Sequence, residues 1–557
     1  MNGSAAQSGL QGCGLLDDWV GQPAFQVLDL GSGHALDWHA VLQIWRNHAR
    51  RPSHLHWVSG MSGGIGQPVD FQRHNDTPTE PPVSGQAGSA VLTRVTGELH
   101  AVLRELRMAA DALLLPPLEA SDCTAWTAKL LSRQCHRGTW VFAPSLSVGS
   151  RKTLAAQGFD LQRVSPDGAS DSGIADAWTG RYNPLWEPKQ RGLEWQAATV
   201  TQRHCIVIGA GLAGACTANA LAARGWDVQV LDAAPAPAMG ASSLPVGLMV
   251  AHTSVDDNPR SRLTRAGVQM ATHQARRCLG QGVDWDLNGV LSLKPGSMAQ
   301  FHVDGAWVKP QALVRAWMAH AGIRFTGSAN VTVLEWRDTP AGGEWRVLDA
   351  HGRELAAAPH VVLAAAVGCS AVLHNTADRL CTAKRPPFAV PKLTSVPGQV
   401  SWGFQSKGDA DWAPAASVNG RGYLAANLPI EDQLAWLTGS TFEDDTDPLD
   451  AAAGHAHNFS QLLQLLPGAA AALRARFETR CVNAWRNVRC TTADRLPVAG
   501  PIIGAPPGLW LNTGYGARGL TWSVLCAELL AARLNGEPWP IAASLAGKIG
   551  ERRSLRG

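Results

Sequence analysis

The chain has 557 residues, of which 45% are hydrophobic and 17% are charged, and its formal net charge is +3. This length predicts two or three compact units, and the mildly basic balance permits an RNA partner without requiring one. No apolar run approaches the roughly 20 residues that span a bilayer, and residues 1–24 lack the pattern of a secretory signal, so a cytoplasmic protein is expected.

The N-terminal part begins like an α/β unit. Phe25–Leu30 has the pattern of a strand, and it leads into the turn Gly31-Ser32-Gly33. Residues 60–90 are rich in Gly, Pro and Ser and have no hydrophobic period, which predicts a long loop or a disordered insert. The Pro and Gly residues in 165–201 predict a second irregular stretch. We therefore expect one domain over residues 1–200 and another over residues 201–557.

The second domain opens with a Gly-rich turn of the dinucleotide-binding type. An apolar strand over Ile206–Ile208 leads into Gly209, Gly211 and Gly214, a helix follows, and a second strand ends at Asp232. In this turn the first glycine permits the sharp bend, the second lets the backbone approach a pyrophosphate, and the third lets helix and strand pack closely. The helix N-terminus would face the phosphates, and Asp232 could accept hydrogen bonds from the ribose hydroxyls. This context predicts a bound dinucleotide rather than an unliganded βαβ unit.

A second Gly-rich turn, near the end of the chain, favours FAD over NAD. Leu509–Thr513 has the pattern of a strand, residues 514–520 (GYGARGL) form the turn, and Trp522–Leu534 predicts a helix. FAD is long enough to need its phosphate end and its isoalloxazine end held by separate parts of one domain. A nicotinamide enzyme would not usually return to its nucleotide domain in this way. The two turns together therefore predict an FAD-binding domain.

Several stretches of the second domain resemble the glycine oxidase and D-amino-acid oxidase superfamily of FAD enzymes. They resemble more closely the C-terminal domain of the MnmC family of bifunctional tRNA-modifying proteins. The resemblance covers nearly all of residues 203–550 and depends on Gly240-Ala241-Ser242, Gly305-Ala306-Trp307-Val308, 396–401 (VPGQVS), 439–445 (GSTFEDD), 485–490 (WRNVRC), 494–500 (DRLPVAG) and 516–520 (GARGL). It implies an α/β chain in which a Rossmann-like methyltransferase-type domain precedes a two-subdomain FAD-binding domain. The residues expected at the cofactor are Gly209, Gly211, Gly214, Asp232, Ser242, Gly514, Gly516, Gly519 and Leu520.

The resemblance also implies a substrate and a reaction. In the family the substrate is a carboxymethylaminomethyl group on the wobble uridine of tRNA, which is an N-substituted glycine. Hydride transfer from the glycine Cα to the flavin gives an imine, which water cleaves to glyoxylate and the aminomethyl nucleoside. A carboxylate suits the planar, permanently charged fork of arginine. Arg489 stands where the superfamily places such an arginine, and Arg518 is the second candidate.

Residues 1–200 resemble the S-adenosylmethionine-dependent methyltransferase domain of the same family. Asp29, Gly31 and Gly33 would be the remnant of its methyl-donor site. No acidic residue closes the strand that ends at Ser59, and Pro116 stands where the family has an acid. We therefore interpret this domain as a degenerate methyltransferase that keeps a structural or tRNA-docking role and is not expected to bind S-adenosylmethionine. Active methylation is the alternative.

Three functions remain in competition. The leading hypothesis is an FAD-dependent oxidoreductase of tRNA, acting as a monomer with no DNA or membrane partner. The second is an oxidase or dehydrogenase of a free small amino acid such as glycine, sarcosine or a D-amino acid, although such an enzyme has no need of a fused first domain. The third is a non-enzymatic scaffold whose bound FAD no amine reduces. The 11 cysteines contain no C-x-x-C pair, so no metal site is expected.

Overall fold

The computed structural model describes residues 15–31, 38–62, 68–76, 88–164, 177–186, 202–293, 296, 298–340, 342–381, 388–406 and 409–550. The chain divides into two compact units, the first made of Met1–Val200 and Ala532–Ala546, the second of Thr201–Ala531 and Gly547–Gly557. The sequence-based division differs in one respect, because it gave all of residues 201–557 to the second unit. Within the described ranges, no helix is long and apolar enough to cross a membrane.

The first unit is built on one eight-stranded sheet. Its strands are β1 (Ala24–Asp29), β2 (His54–Ser62), β3 (Asp70–Asp76), β4 (Ser89–Gly97), β5 (Ala110–Leu114), β6 (Cys135–Ala143), β7 (Phe159–Arg163) and β8 (Trp178–Tyr182). Its helices are α1 (Leu15–Asp18), α2 (Trp38–Asn47), α3 (Leu99–Glu105), α4 (Ala125–Ser132) and α5 (Val148–Ala156). The spatial order is β3-β4-β2-β1-β5-β6-β8-β7. The five central strands run parallel and the outer three add antiparallel pairs, as in a Rossmann-like sheet.

Two expectations for the first unit were wrong in part. Residues 60–90 are not one loop, because β2 continues to Ser62 and β3 pairs antiparallel with β4. Strand β3 has a largely polar sequence, and one of its buried residues is Arg73, whose Nη1 donates to the Pro538 carbonyl at 3.0 Å. Hydropathy could not reveal a strand that buries a cation. Residues 165–201 likewise contain β8, which pairs with both β6 and β7.

The second unit contains the remaining strands. They are β9 (His204–Ile208), β10 (Asp227–Leu231), β11 (Gly247–Met249), β12 (Trp285–Asp286), β13 (Val290–Ser292), β14 (Gln300–His302), β15 (Ala306–Val308), β16 (Ile323–Thr326), β17 (Val333–Arg337), β18 (Glu344–Leu348), β19 (Glu354–Ala358), β20 (His360–Leu363), β21 (Thr394–Phe404), β22 (Ser417–Gly420), β23 (Gly422–Ile430), β24 (Gln433–Gly439), β25 (Asn483–Thr491), β26 (Val498–Pro501) and β27 (Leu509–Thr513).

The later helices follow the same chain order. They are α6 (Leu212–Ala222), α7 (Pro259–Cys278), α8 (Pro310–Met318), α9 (Gly368–Leu380), α10 (Ala451–Leu465), α11 (Pro467–Glu478), α12 (Gly519–Asn535) and α13 (Ala543–Ile549). Short 3₁₀ turns cover Ala241–Ser243 and Asp409–Asp411.

Two large sheets organise the second unit. The nucleotide-binding sheet has the order β16-β10-β9-β20-β27-β26 and is parallel except for β26. The other large sheet has the order β14-β13-β22-β23-β24-β21-β25 and is antiparallel except for the pair β13–β22. Three-stranded sheets β11-β15-β12 and β17-β18-β19 complete the unit. The predicted α/β class is confirmed, and the second unit contains two large sheets as expected for two subdomains.

Candidate active site of the second unit

The turn between β9 and α6 is shaped so that only glycines fit. Gly209 has φ +110°, and a Cβ there would lie 2.6 Å from the Ala364 carbonyl oxygen. A Cβ on Gly214 would lie 1.7 Å from the carbonyl oxygen of Gly209, so α6 can pack on β9 only without a side chain. Gly211 is the N-cap of α6 and supplies no side-chain cap. Apart from the Leu212 N–H, which donates to Ser242 Oγ, the backbone N–H groups in the first turn of α6 have no intrahelical acceptor and could bind a phosphate.

Asp232 follows β10 and lies next to this turn. Its Oδ2 accepts a hydrogen bond from the Ala210 N–H at 2.6 Å, and its Oδ1 accepts one from the Ala234 N–H at 2.8 Å. These bonds fix the orientation of the carboxylate. Each oxygen still has a lone pair free for a hydroxyl. Asp232 is thus placed to accept hydrogen bonds from a ribose beside the Gly-rich turn.

Ser242 and the C-terminal turn meet the first turn. The Ser242 hydroxyl accepts a hydrogen bond from the Leu212 N–H at 2.9 Å, at the N-terminus of α6. A Cβ on Gly519 would lie 3.1 Å from Leu212 Cδ1. Leu520 is buried, and its Cδ1 lies 2.8 Å from the position of a Cβ on Gly247. The structure therefore brings Ser242, Gly519 and Leu520, from distant parts of the chain, close to the start of α6.

The C-terminal turn is fixed by its own backbone and by buried polar contacts. Gly514 and Gly516 have φ +79° and +54°, which an L side chain would adopt only with strain. The Tyr515 hydroxyl donates to Asn512 Oδ1 at 2.8 Å, and Asn512 Nδ2 donates to Thr217 Oγ1 at 2.9 Å. Because Thr217 is on α6, this chain of hydrogen bonds ties the second turn to the helix that follows the first.

Arg489, on β25, is a buried cation held in one orientation. Its Nη1 donates to the Thr441 carbonyl at 3.0 Å, and its Nη2 donates to Ser440 Oγ at 2.8 Å. The Phe442 ring lies 4.6 Å from the guanidinium carbon. Burial lowers the pKa of Arg489, while the charges of Tyr423 and Glu443 oppose that shift. A guanidinium has five N–H donors, so three remain for a ligand.

Gly398 makes room for this guanidinium. A Cβ at Gly398 would lie 2.1 Å from Arg489 Nη1. Within the described ranges, no carboxylate comes within 4 Å of Arg489. A buried arginine without a carboxylate partner carries a large desolvation cost unless a ligand supplies the anion. Arg489 is therefore a candidate for binding an anion, and its assignment to a substrate carboxylate stays a prediction.

Tyr423 is a further candidate that sequence reasoning missed. Its hydroxyl is buried and has no hydrogen-bond partner within the described ranges. Burial raises the pKa of this phenol above its ordinary value, and the charge of Arg489 opposes the shift. Tyr423 pairs with Gly439, the residue before Ser440, across β23 and β24. The chain has three tyrosines, but nothing in the sequence around Tyr423 distinguishes it from an ordinary strand residue.

Arg518, the second sequence-predicted arginine, has different surroundings. Burial lowers its pKa, and the charges of Arg260 and Arg495 lower it further. Among the described residues, no hydrogen bond involves the Arg518 side chain, whereas Arg489 donates to Ser440 and Thr441. The role of Arg518 at the substrate stays a prediction.

The cofactor turns and the Arg489 site are linked through β25. Trp485 Nε1, four residues before Arg489, donates to Ser243 Oγ at 2.9 Å. At the C-terminal end of β25, Thr491 forms an isolated β-bridge with Tyr515, and the Gly516 N–H donates to the Cys490 carbonyl at 2.7 Å. One strand thus contacts both the Ser242 turn and the C-terminal turn.

The residues present fit FAD. The glycine cradle, the Asp232 carboxylate and the Ser242 turn would hold the phosphates and ribose, and the C-terminal turn would hold the distal part of the cofactor. Bound FAD supplies the acceptor for two electrons, while the protein binds and orients the substrate.

Comparisons with known proteins identify the family of this chain. The profile of the FAD dependent oxidoreductase family matches residues 204–303 and 295–533. The bifunctional tRNA 5-methylaminomethyl-2-thiouridine biosynthesis protein MnmC of Albidiferax ferrireducens is 38% identical over 99% of this chain and 96% of that protein. The chain belongs to the MnmC family. It is an FAD-dependent oxidoreductase.

Two further similar proteins were found. The MnmC protein of Polaromonas naphthalenivorans is 36% identical to this MnmC-family chain, over 96% of this chain and 90% of that protein. The crystal structure of glycine oxidase from Geobacillus kaustophilus is 18% identical and covers 60% of this chain and 94% of that chain, with a TM-score of 0.45.

The first unit of this MnmC-family chain does not fit S-adenosylmethionine equally well. Asp29 Oδ1 accepts a hydrogen bond from the Gly31 N–H at 3.0 Å, but Gly33 lies outside the described residues. Strand β2 ends at Ser62, and residues 60–69 contain no Asp or Glu to bind a ribose. Pro116 and Pro117 follow β5 and offer no polar side chain. We therefore derive no methyl-transfer step from this unit.

Proposed function

We propose that the second unit oxidises the carboxymethylaminomethyl group of 5-carboxymethylaminomethyl-(2-thio)uridine in tRNA. Oxidation removes a hydride from the glycine Cα and the proton from the adjacent nitrogen, leaving an imine. Water then cleaves the imine to glyoxylate and the aminomethyl nucleoside. The two electrons pass to bound FAD. We infer that this reaction takes place in the cytoplasm.

The buried Arg489 is the observation that carries this proposal. The guanidinium has three free N–H donors and no carboxylate partner within the described ranges. It can therefore donate two hydrogen bonds to the two carboxylate oxygens of a glycine unit. The nearby Tyr423 hydroxyl, which also has no partner there, could donate to the same carboxylate. Fixing the carboxylate would orient the Cα–H bond toward the flavin.

A free small amino acid is the alternative substrate, since it carries the same carboxylate. The whole-length similarity to proteins named for tRNA modification, including their first domain, favours tRNA. A flavin-stabilised scaffold is the third possibility, and it gives Arg489 no anion to bind.

We propose a tRNA-docking role for the first unit. Trp126, near the start of α4, is 39% exposed. Three cations surround its ring at 5.6–5.8 Å from the centroid: Arg104, Lys129 and Arg133. A stacking ring among cations suits an unpaired base with flanking phosphates. Binding of tRNA by Trp126→Ala tests this role.

Nucleoside analysis of tRNA from a deletion strain tests the proposed reaction. Accumulation of the carboxymethylaminomethyl nucleoside is expected, and complementation with the wild-type gene should remove it. Accumulation of the aminomethyl nucleoside alone would instead assign methylation to this protein. An unchanged nucleoside profile would contradict the proposal.

A further inference from the structure

Three arginines of the second unit share one electrostatic environment that contains no partner acid. The charges of Arg260 and Arg495 both act on the guanidinium of Arg518. None of the three has a carboxylate within 4 Å among the residues that the structure describes. Arg260 Nη2 instead lies 3.5 Å from His252 Nε2. By contrast, Arg265 on the same helix is paired with Asp257 at 3.1 Å.

The backbone explains why two of these arginines meet. Arg495 lies in the turn between β25 and β26, and Arg518 in the turn between β27 and α12. Strands β26 and β27 pair antiparallel, so the turn before β26 and the turn after β27 lie at the same edge. The bridge between Thr491 and Tyr515 fastens the two turns together.

Helix α7 brings the third arginine to the same edge. A Cβ on Gly267 would lie 2.2 Å from the Thr521 carbonyl oxygen, so α7 packs directly on the first turn of α12. Arg260 precedes Gly267 by seven residues, which is two helical turns, and therefore lies on the same face of α7. This face of α7 contacts α12 at Thr521, which is three residues after Arg518.

The turn that carries Arg495 is fixed without using its side chain. Asp494 Oδ1 accepts hydrogen bonds from Thr492 Oγ1 and from the Leu496 N–H, both at 3.1 Å. Arg495 itself has φ +61° and an exposed side chain. The neighbouring acid is thus engaged in the turn, and the Arg495 guanidinium remains available.

We propose that Arg260, Arg495 and Arg518 bind a backbone phosphate of the RNA at the nucleotide whose base is oxidised. Three like charges with no acid repel one another, and an oxyanion among them relieves that repulsion. Arginine forks match phosphate oxygens in geometry. Such a nucleotide presents two anions, so Arg489 takes the carboxylate and the three arginines take the phosphate.

This inference rests on the proposed tRNA substrate and adds a reason for substrate selection. A free amino acid has a carboxylate but no phosphate. Only a nucleotide could occupy both the Arg489 site and the site of the three arginines. The three arginines would therefore favour RNA over a free amino acid as the substrate of the same flavin.

The test compares two small substrates on the FAD-loaded full chain: 5-carboxymethylaminomethyluridine and its 5′-monophosphate. In Arg260→Gln and Arg495→Gln, kcat/KM for the monophosphate should fall about tenfold, with the nucleoside value within twofold of wild type. Arg276→Gln, at the exposed end of the same helix, is the matched control. Equal losses for both substrates, or no loss for the monophosphate, would overturn the phosphate site.

The salt dependence of binding to the modified tRNA is an independent test of the phosphate contact. Each variant should reduce the slope of log Kd against log salt by up to about 0.7, the value for complete loss of one phosphate contact on a single strand. An unchanged slope in both variants would overturn the inference even if the tRNA is oxidised. If the wild-type chain binds the tRNA but oxidises none of the three substrates, the proposed function fails, while the slopes still decide the phosphate site. If the wild-type chain binds no tRNA, both fail.

Discussion

Replacement of Arg489 by lysine tests how the substrate carboxylate is bound. Arg489→Lys keeps the positive charge but loses the planar fork and the bonds to the Thr441 carbonyl and Ser440 Oγ, at 3.0 and 2.8 Å. A lysine ammonium is a point charge that cannot bind both carboxylate oxygens in parallel. The variant should therefore bind the carboxylate through one contact in place of two.

The magnitude follows from the contacts that are lost. A hydrogen bond to a charged group contributes about 1.5–3 kcal/mol, so loss of one substrate contact should lower kcat/KM by about 10- to 100-fold. Arg489→Gln also removes the charge and should lower kcat/KM by roughly 1000-fold. Both variants leave the Thr441 carbonyl without its donor, which costs about 1–3 kcal/mol of stability.

The assay is anaerobic flavin reduction by carboxymethylaminomethyl-tRNA, with the flavin content of each variant measured first. Arg474→Lys, an exposed arginine on α11, is the matched control and should match wild type. The reasoning is refuted if flavin-loaded Arg489→Lys keeps kcat/KM within threefold of wild type. Loss of flavin in the variant would show instead that Arg489 supports the fold.

Three more predictions follow from the structure. Gly214→Ala would place a Cβ 1.7 Å from the Gly209 carbonyl oxygen, so the purified variant should contain little FAD. The control is Gly468→Ala, where a Cβ would have no atom within 4 Å, and this variant should be fully loaded with FAD. Equal flavin absorbance in the two variants would contradict the prediction. Burial lowers the pKa of His360 to about 4 from its ordinary 6.5, so the unfolded chain takes up this proton at a higher pH than the folded chain. The free energy of unfolding should therefore fall as the pH is lowered from 6.5 to 4, by at most about 1.4 kcal/mol per pH unit. Denaturant midpoints measured across this range should fall less steeply in His360→Asn than in wild type. Parallel curves for the two proteins would argue against the lowered pKa of His360. Trp126→Ala should weaken tRNA binding by about 5- to 100-fold, because base stacking contributes about 1–3 kcal/mol. Trp186→Ala, at another exposed tryptophan of the first unit, should leave tRNA binding unchanged. Equal losses of affinity in filter-binding assays of the two variants would contradict the docking role of Trp126.

The sequence was informative where function restricts the backbone. Gly209, Gly214 and Asp232 were found because a close approach to a phosphate permits few residue types at fixed spacing. The strand Leu509–Thr513 was predicted with the bounds that the structure gives it. The glycines after it have positive φ, which links the sequence pattern to the turn directly.

The sequence was less informative where tertiary contacts decide. Strand β3 looked like part of a loop because its sequence is polar, and its buried Arg73 donates to the carbonyl of Pro538, which is hundreds of residues away in the sequence. Tyr423 depends on the pairing of β23 with β24, which no local pattern specifies. The two arginines whose charges act on Arg518 come from two other segments of the chain. Sequence spacing cannot show such proximity, because each segment is ordinary by itself.

The most direct test of the central claim is one turnover of the purified, FAD-loaded chain on carboxymethylaminomethyl-tRNA without oxygen. Flavin absorbance, glyoxylate and the nucleosides of the digested tRNA are measured in the same sample. The proposed reaction predicts one glyoxylate and one aminomethyl nucleoside for each flavin reduced. Full flavin reduction by free glycine or sarcosine, with the tRNA left unchanged, would contradict it.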